Sequence, residues 1–288
     1  MPDQAQNLRE LVGKTQEIRV ISIASGKGGV GKSTISVNLA VAMSRLGVRV
    51  LILDADFGLA NVDVMLGVTT KYDVSHFLRG ERSLREIVQL GYEGVRFISG
   101  GSGVKDLLNI DEEQLSGLIE GLVHFDTAVD VIIIDTGAGI SDNVIKLVLA
   151  SSETLVITTP EPTSILDAYA LIKTLVKTDH SHQIHILVNK CETKKEARRV
   201  QDGFIEVVSR HLGKNVQPMG LIMYDHSIPQ SIKRQIPISI SDPLSDTSKE
   251  IDRIARSILE LPDRGAATSL LSRVFNRIIG ERKEPITK

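Results

Sequence analysis

The stretch Ile18-Arg19-Val20-Ile21-Ser22-Ile23-Ala24-Ser25-Gly26-Lys27-Gly28-Gly29-Val30-Gly31-Lys32-Ser33-Thr34 decides the fold. Its opening run, Ile18 to Ala24, is rich in β-branched residues and predicts a short buried strand. A glycine-rich turn follows. Ser33 to Arg45 then reads as a helix that ends at Gly47. Gly26 to Thr34 matches the phosphate-loop pattern in the strand–turn–helix setting its mechanism needs. Glycines let backbone N–H groups of Gly28, Gly29, Val30 and Gly31 converge on phosphate oxygens without a Cβ in the way. Lys32 is placed to bridge terminal phosphates, and the Ser33 hydroxyl to complete a Mg²⁺ shell. Motif and context agree, which disfavours a glycine-rich turn without a ligand.

Outward from this loop, near-continuous apolar runs recur at Val48–Leu53, Val95–Ile98, Val131–Ile134, Leu155–Thr158, Ile184–Val188 and Met219–Met223. Such runs suit strands buried on both faces. Helical patterns lie between them, at roughly 111–123, 141–150, 164–177, 193–212 and 247–260. The alternation predicts one α/β phosphate-loop domain over residues 18–260, with a mostly parallel, doubly wound sheet. Outside it stand a polar arm at 1–17, a linker at 261–266, a helix at 267–281 and a polar tail at 282–288.

The 288 residues suffice for a large core, and 42% apolar with 24% charged residues excludes wholesale disorder. Aromatics at 3%, with no Trp, argue against a base-stacking platform. A net charge of −2 gives no global pull toward nucleic acid or acidic lipid, so such binding needs a local patch. The single cysteine, Cys191, excludes an internal disulfide and fits a reducing cytoplasm. The N-terminal residues carry no apolar stretch of a signal peptide, and no apolar run approaches the ~20 residues of a membrane span.

Two carboxylates stand at the ends of predicted strands, where α/β sheets bind ligands: Asp54 after Val50–Leu53, and Asp135 after Val131–Ile134. Either can ligate a metal or merely cap the next turn. Asp56, in the following loop, can orient an attacking water or simply be solvated. Lys27 offers a second cation beside a triphosphate, where charge develops during transfer. Asn189-Lys190-Cys191-Glu192 nearly matches a guanine-reading pattern, but Glu192 stands where a shorter Asp is needed, so ATP is favoured over GTP. Asn189 reads the base or satisfies a turn. His180, His182 and His185 lack an adjacent acidic or cysteine partner and are discounted as a metal site.

Lys27-Gly28-Gly29-Val30-Gly31-Lys32-Ser33-Thr34 resembles the deviant phosphate loop of MinD/ParA-type ATPases, and Asp54-Ala55-Asp56 and Asp135-Thr136-Gly137-Ala138-Gly139 resemble that family's two switch segments. The resemblance spans roughly residues 18–260. It implies a Mg²⁺-dependent, slow, regulatory ATP hydrolase that forms a homodimer around two ATP molecules. It further implies that Lys27 reaches the partner's ATP, Asp56 positions the hydrolytic water, and Ser33 and Asp135 bind Mg²⁺ directly. Asp54 would do so through water, Thr34 would touch the α-phosphate and Asn189 the adenine. Asp3-Gln4-Ala5 with Leu8-Arg9 resembles the activator arm of the family's flagellar branch. That implies control of flagellar number or placement, with Gln4 entering the active site of a signal-recognition-particle-type GTPase (FlhF), while Asp3, Leu8 and Arg9 hold the arm. Flagellar switch-complex proteins are further implied partners. A DNA-partitioning ATPase is the alternative, and it would want a pronounced basic patch. An iron–sulfur electron carrier on this loop would want two cysteines per chain.

Residues 269–281 place Leu270, Leu271, Val274, Phe275, Ile278 and Ile279 on one helical stripe flanked by Arg273 and Arg277. This reads as a basic amphipathic helix for an acidic membrane surface, against docking on the parent domain. Partial burial of the stripe gains roughly 5–8 kcal/mol before the cost of ordering the tail, so one helix binds weakly. Two on a dimer gain avidity of about 10²-fold, giving peripheral attachment controlled by ATP. Phe275→Glu is expected to abolish liposome co-sedimentation while leaving ATP-driven dimerisation intact. Loss of both would refute separate roles for the helix and the domain.

Overall fold

The computed structural model describes residues 18–57, 59–101, 112–123 and 129–261. The arm at 1–17, with Asp3, Gln4, Leu8 and Arg9, lies outside the described residues, as do the helix 267–281 and the tail 282–288; of the linker, only Leu261 is described. Strand β1 (Arg19–Ser25) leads through the glycine-rich turn into α1 (Lys32–Arg45) and then β2 (Val50–Ala55). Short helices α2 (Val62–Met65), α3 (Val74–Leu78) and α4 (Leu84–Ile87) precede β3 (Gln89–Leu90) and β4 (Arg96–Ile98). The chain then alternates through α5 (Glu112–Val123), β5 (Val131–Ala138), α6 (Asp142–Leu149), β6 (Glu153–Thr158) and α7 (Pro162–Thr178). It continues with β7 (Gln183–Cys191), α8 (Lys194–Leu212) and β8 (Gln217–Met223). Helices α9 (Ser227–Lys233), α10 (Ile238–Ser241) and α11 (Asp246–Ile258) complete the described domain.

One eight-stranded sheet runs in the order β3-β4-β2-β5-β1-β6-β7-β8. Every pairing is parallel except β3 with β4 at one edge, which is antiparallel. Successive apolar residues serve opposite layers, as a sheet covered on both faces requires. Val50 and Ile52 join Leu39 and Met43 of α1 and Ile251 and Ile254 of α11 in one layer. Leu51 and Leu53 face Leu115 and Leu118 of α5 and Leu147 of α6 in the other. Farther along that second face, Val156 and Ile186 pack on Leu171 of α7 and Phe204 of α8.

The expected strands and long helices are present. The five short helices and the antiparallel edge were not anticipated, since they are too short to develop periodicity. The chain passes from β1 across β5 to β2, and later from β5 across β1 to β6. Connections thus diverge at the carboxyl end of β1, which opens a crevice there.

The amino end of β1 is held by a different cluster. Arg19 Nε donates to Glu153 Oε1 at 2.6 Å, and Arg19 Nη1 donates to the Ile258 carbonyl at the end of α11. His185 Nε2 lies 2.9 Å from Glu153 Oε2, off the line of a well-formed hydrogen bond. Burial pushes the Glu153 carboxyl up, but His185 and Arg19 outweigh it and hold it below the usual range. His182 instead bonds Thr154 Oγ1 at 2.7 Å. Among the described residues no group of three or more His, Cys, Asp or Glu side chains is placed to hold a metal ion.

Gly26 is where the loop and α7 come closest. A Cβ built there would stand 2.2 Å from the Asp167 carbonyl oxygen, which is backbone and cannot rotate aside. Gly26→Ala is expected to destabilise the domain by about 1–3 kcal/mol through overpacking. The check is a lowered urea midpoint at unchanged slope; an unchanged midpoint would mean the loop is not held against α7.

Candidate functional site

The glycine-rich turn closes into a loop at the carboxyl end of β1. Gly31 caps α1 with φ +101°, a conformation glycine adopts without strain, and a Cβ there would meet Asn189 Nδ2 at 2.5 Å. The loop borders a cavity of about 600 Å³, lined by Lys32, Ser33, Thr34, Asp56, Asn189 and Lys190 among others. That volume suits a small organic ligand. Met223, Tyr224, Asp225 and Ile228, from the end of β8 and the start of α9, close its far wall. These residues were missed in the sequence because no motif marks them. A larger groove of about 1070 Å³ lies between α7 and α8, lined by Ile165, Tyr169, Phe204 and Val207. It contains no residue of the loop, so the chemistry is assigned to the smaller cavity.

Parallel pairing of β2 with β5 sets Asp54 directly beside Asp135, and both are fully buried. Asp54 accepts from the backbone N–H groups of Asp56 at 3.1 Å, Asn61 at 2.8 Å and Val62 at 3.0 Å. It therefore caps the turn into α2, the structural role left open above, while remaining next to the other carboxylate. Asp135 Oδ1 accepts from Ser36 Oγ at 2.9 Å, whereas its Oδ2 is buried with no hydrogen-bond partner. Burial raises the Asp135 carboxyl above its ordinary range, against the Ser33 and Ser36 hydroxyls and Lys32, which favour the anion. Burial and the neighbouring Asp135 charge likewise raise Asp54, against its three N–H donors. Lys32 is lowered by its own burial, opposed by Asp135 and Asp56. Burial also raises the half-buried Asp56, and Lys32 opposes it.

A hard divalent cation fits this donor set. An orphaned buried carboxylate oxygen, an adjacent hydroxyl and a second carboxylate are oxygen ligands of the kind Mg²⁺ takes, with room left for water. Lys27 is placed otherwise than a lysine aimed into its own loop. Its Nζ donates to Glu161 Oε2 at 2.5 Å and Thr163 Oγ1 at 2.9 Å, at the start of α7. The ammonium in turn holds the exposed Glu161 carboxyl below its usual range. Asn189 Nδ2 donates to the Val30 carbonyl at 2.7 Å, which leaves Oδ1 as the acceptor on its amide.

Comparison with known proteins gives the chain a family. The ParA family model, described as an NUBPL iron-transfer P-loop NTPase, matches residues 17–259. The antiactivator FleN of Pseudomonas aeruginosa is 38% identical over 251 residues, covering 87% of this chain and 90% of FleN. The flagellum site-determining protein YlxH of Helicobacter pylori is 33% identical over 252 residues, covering 86% and 84%. Among solved structures, the cell division ATPase MinD of Pyrococcus furiosus superposes with a TM-score of 0.73 at 26% identity, covering 85% of this chain and 99% of that one. MinD of Pyrococcus horikoshii, solved with Mg-ADP, gives 0.72 at 25% identity, covering 84% and 96%. The iron chemistry in the family model's description finds no counterpart here: the one cysteine, Cys191, is buried, and burial pushes its thiol up to about 12.

The buried carboxylates predict a pH signature. A carboxyl raised by folding contributes stability that is complete below the unfolded value near pH ~4 and is lost as pH rises through the folded value. Asp135→Asn keeps the acceptor for Ser36 and removes the charge. At pH 8, without nucleotide or Mg²⁺, its Tm is expected to exceed wild type by about 3 °C, with the gain vanishing toward pH 4. Mg²⁺-dependent nucleotide binding should be lost. A Tm difference independent of pH would contradict the electrostatic account.

Proposed function

The chain belongs to the ParA/MinD family of P-loop ATPases, and from that premise we propose that it is an ATP-switched regulator of flagellar number or placement. The carrying observation is the loop of Lys27 to Thr34 with the charges of Asp56 and Asp135 acting on its Lys32, in a chain 38% identical to FleN. In this reading the backbone of Gly28 to Gly31 and the ammonium of Lys32 bind the β- and γ-phosphates, and Thr34 touches the α-phosphate. Ser33 and Asp135 hold Mg²⁺, with Asp54 acting through water. Bound Mg²⁺ would neutralise phosphate charge that develops as the γ-phosphoryl leaves. Asp56 orients the water that attacks the γ-phosphorus. The bond to the bridging oxygen then breaks, giving ADP and phosphate. The free Oδ1 of Asn189 accepts from the exocyclic amine of adenine, which supports ATP over GTP.

Lys27 acts across the dimer in this proposal. The contact with Glu161 and Thr163 supports a single chain that keeps this lysine parked on α7 until a second chain offers its nucleotide. The remaining parts lie outside the described residues. Residues 267–281 bind an acidic membrane surface, with Leu270, Leu271, Val274, Phe275, Ile278 and Ile279 inserted. The arm with Asp3, Gln4, Leu8 and Arg9 activates a signal-recognition-particle-type flagellar GTPase. Attachment is peripheral in this reading; among the described residues no helix is long and apolar enough to cross a membrane.

Asp56→Ala is expected to retain ATP binding, lose hydrolysis by at least about 10²-fold and accumulate as the dimer. It should co-sediment with liposomes of acidic lipid in ATP and not in ADP. Hydrolysis at the wild-type rate would remove the role given to Asp56. Equal sedimentation in both nucleotides would deny ATP control of the membrane helix.

A further inference from the structure

The end of β7 departs from regular strand geometry where it passes the loop. Val188 pairs with Leu221, but the next pair is Cys191 with Met223, so β7 carries one residue more than β8 over this interval. That is a β-bulge, a feature that re-aims side chains beside functional sites. Within it Lys190 takes φ +58°, a left-handed conformation that costs a lysine energy and persists only where surroundings enforce it. The bulge lets neighbouring residues of β7 reach the same target. Lys190 Nζ donates to the Gly29 carbonyl at 2.7 Å, and Asn189 Nδ2 donates to the Val30 carbonyl at 2.7 Å.

These are consecutive carbonyls of the phosphate loop. A trans peptide is planar, so its C=O and N–H point in opposite directions. Drawing the Gly29 carbonyl toward β7 turns the Val30 N–H away from it. Drawing the Val30 carbonyl likewise turns the Gly31 N–H away. The Lys190 charge also polarises the peptide it holds, strengthening the outward-facing donor. We propose that Lys190 is a positioning residue of the phosphate loop: with Asn189 it forms a two-point clamp on the carbonyls of Gly29 and Val30 that aims the loop's N–H donors at nucleotide phosphates. This rests on the nucleotide reading above and adds a residue that reading does not use.

The strain supplies the test. Lys190→Gly removes the clamp and relieves the left-handed conformation, while Lys190→Asn tolerates that conformation but is too short to reach Gly29. Lys190→Arg keeps a cationic donor at similar reach. Each variant is measured for Tm without nucleotide and for ADP affinity with Mg²⁺ by calorimetry. The clamp requires Lys190→Gly and Lys190→Asn to bind ADP about tenfold more weakly, with the Tm of Lys190→Gly equal to or above wild type. Lys190→Arg must recover most of the affinity. An ADP affinity within about twofold of wild type in Lys190→Gly, or an affinity loss that only follows a fallen Tm, would overturn the clamp. A wild-type chain that binds no ADP would overturn the nucleotide reading itself, and the clamp with it.

Discussion

Two carboxylates buried side by side are the constraint on which the site depends. Parallel pairing of β2 with β5 leaves Asp54 and Asp135 no choice of neighbour; burial raises the cost of ionising both, and the Asp135 charge adds to that cost at Asp54. The surroundings compensate unequally. Asp54 receives three backbone N–H groups and so defines the path of the chain into α2. Asp135 keeps one oxygen without a partner. The fold thus carries a local electrostatic deficit at the place where a cation would relieve it, a trade of stability for function. Lys32 sits in the same balance, its burial offset by the acids it faces.

The same economy governs Lys27. An ammonium beside a loop that binds phosphate would, in a lone chain, compete for that loop or remain solvated. Here Glu161 and Thr163 give it a partner at the head of α7. The pair is exposed, so its contribution is small and readily exchanged. A weak contact suits the role across the dimer proposed for this side chain.

Much of the architecture was legible because it is written in local pattern. Runs such as Val131–Ile134 are apolar on both faces and announce a covered parallel strand, and the phosphate loop is contiguous. What stayed hidden depends on distance along the chain or on length. Glu161 lies 134 residues from Lys27 and nothing local links them. Glu153 and His185 are partners only because β6 and β7 are neighbours. Ser83-Leu84-Arg85-Glu86 forms a capping box on α4, a helix too short to show periodicity. Asn189 spends its Nδ2 on the Val30 carbonyl of the loop, 159 residues away, a bond that no local pattern announces. The bulge that turns Lys190 onto Gly29 leaves no trace in composition, because its cause is register.

The bond from Arg19 to the Ile258 carbonyl has a consequence for how the molecule is wired. It ties the first turn-out of the domain to its last helix, at the end of β1 remote from the loop, which a strand of this length sets roughly 20 Å away. The described domain therefore begins and ends at one pole, with Ile18 and Leu261 both close in sequence to the residues of this bond. A group joined at either end of the domain would be held at high effective concentration for one joined at the other, far from the phosphate loop.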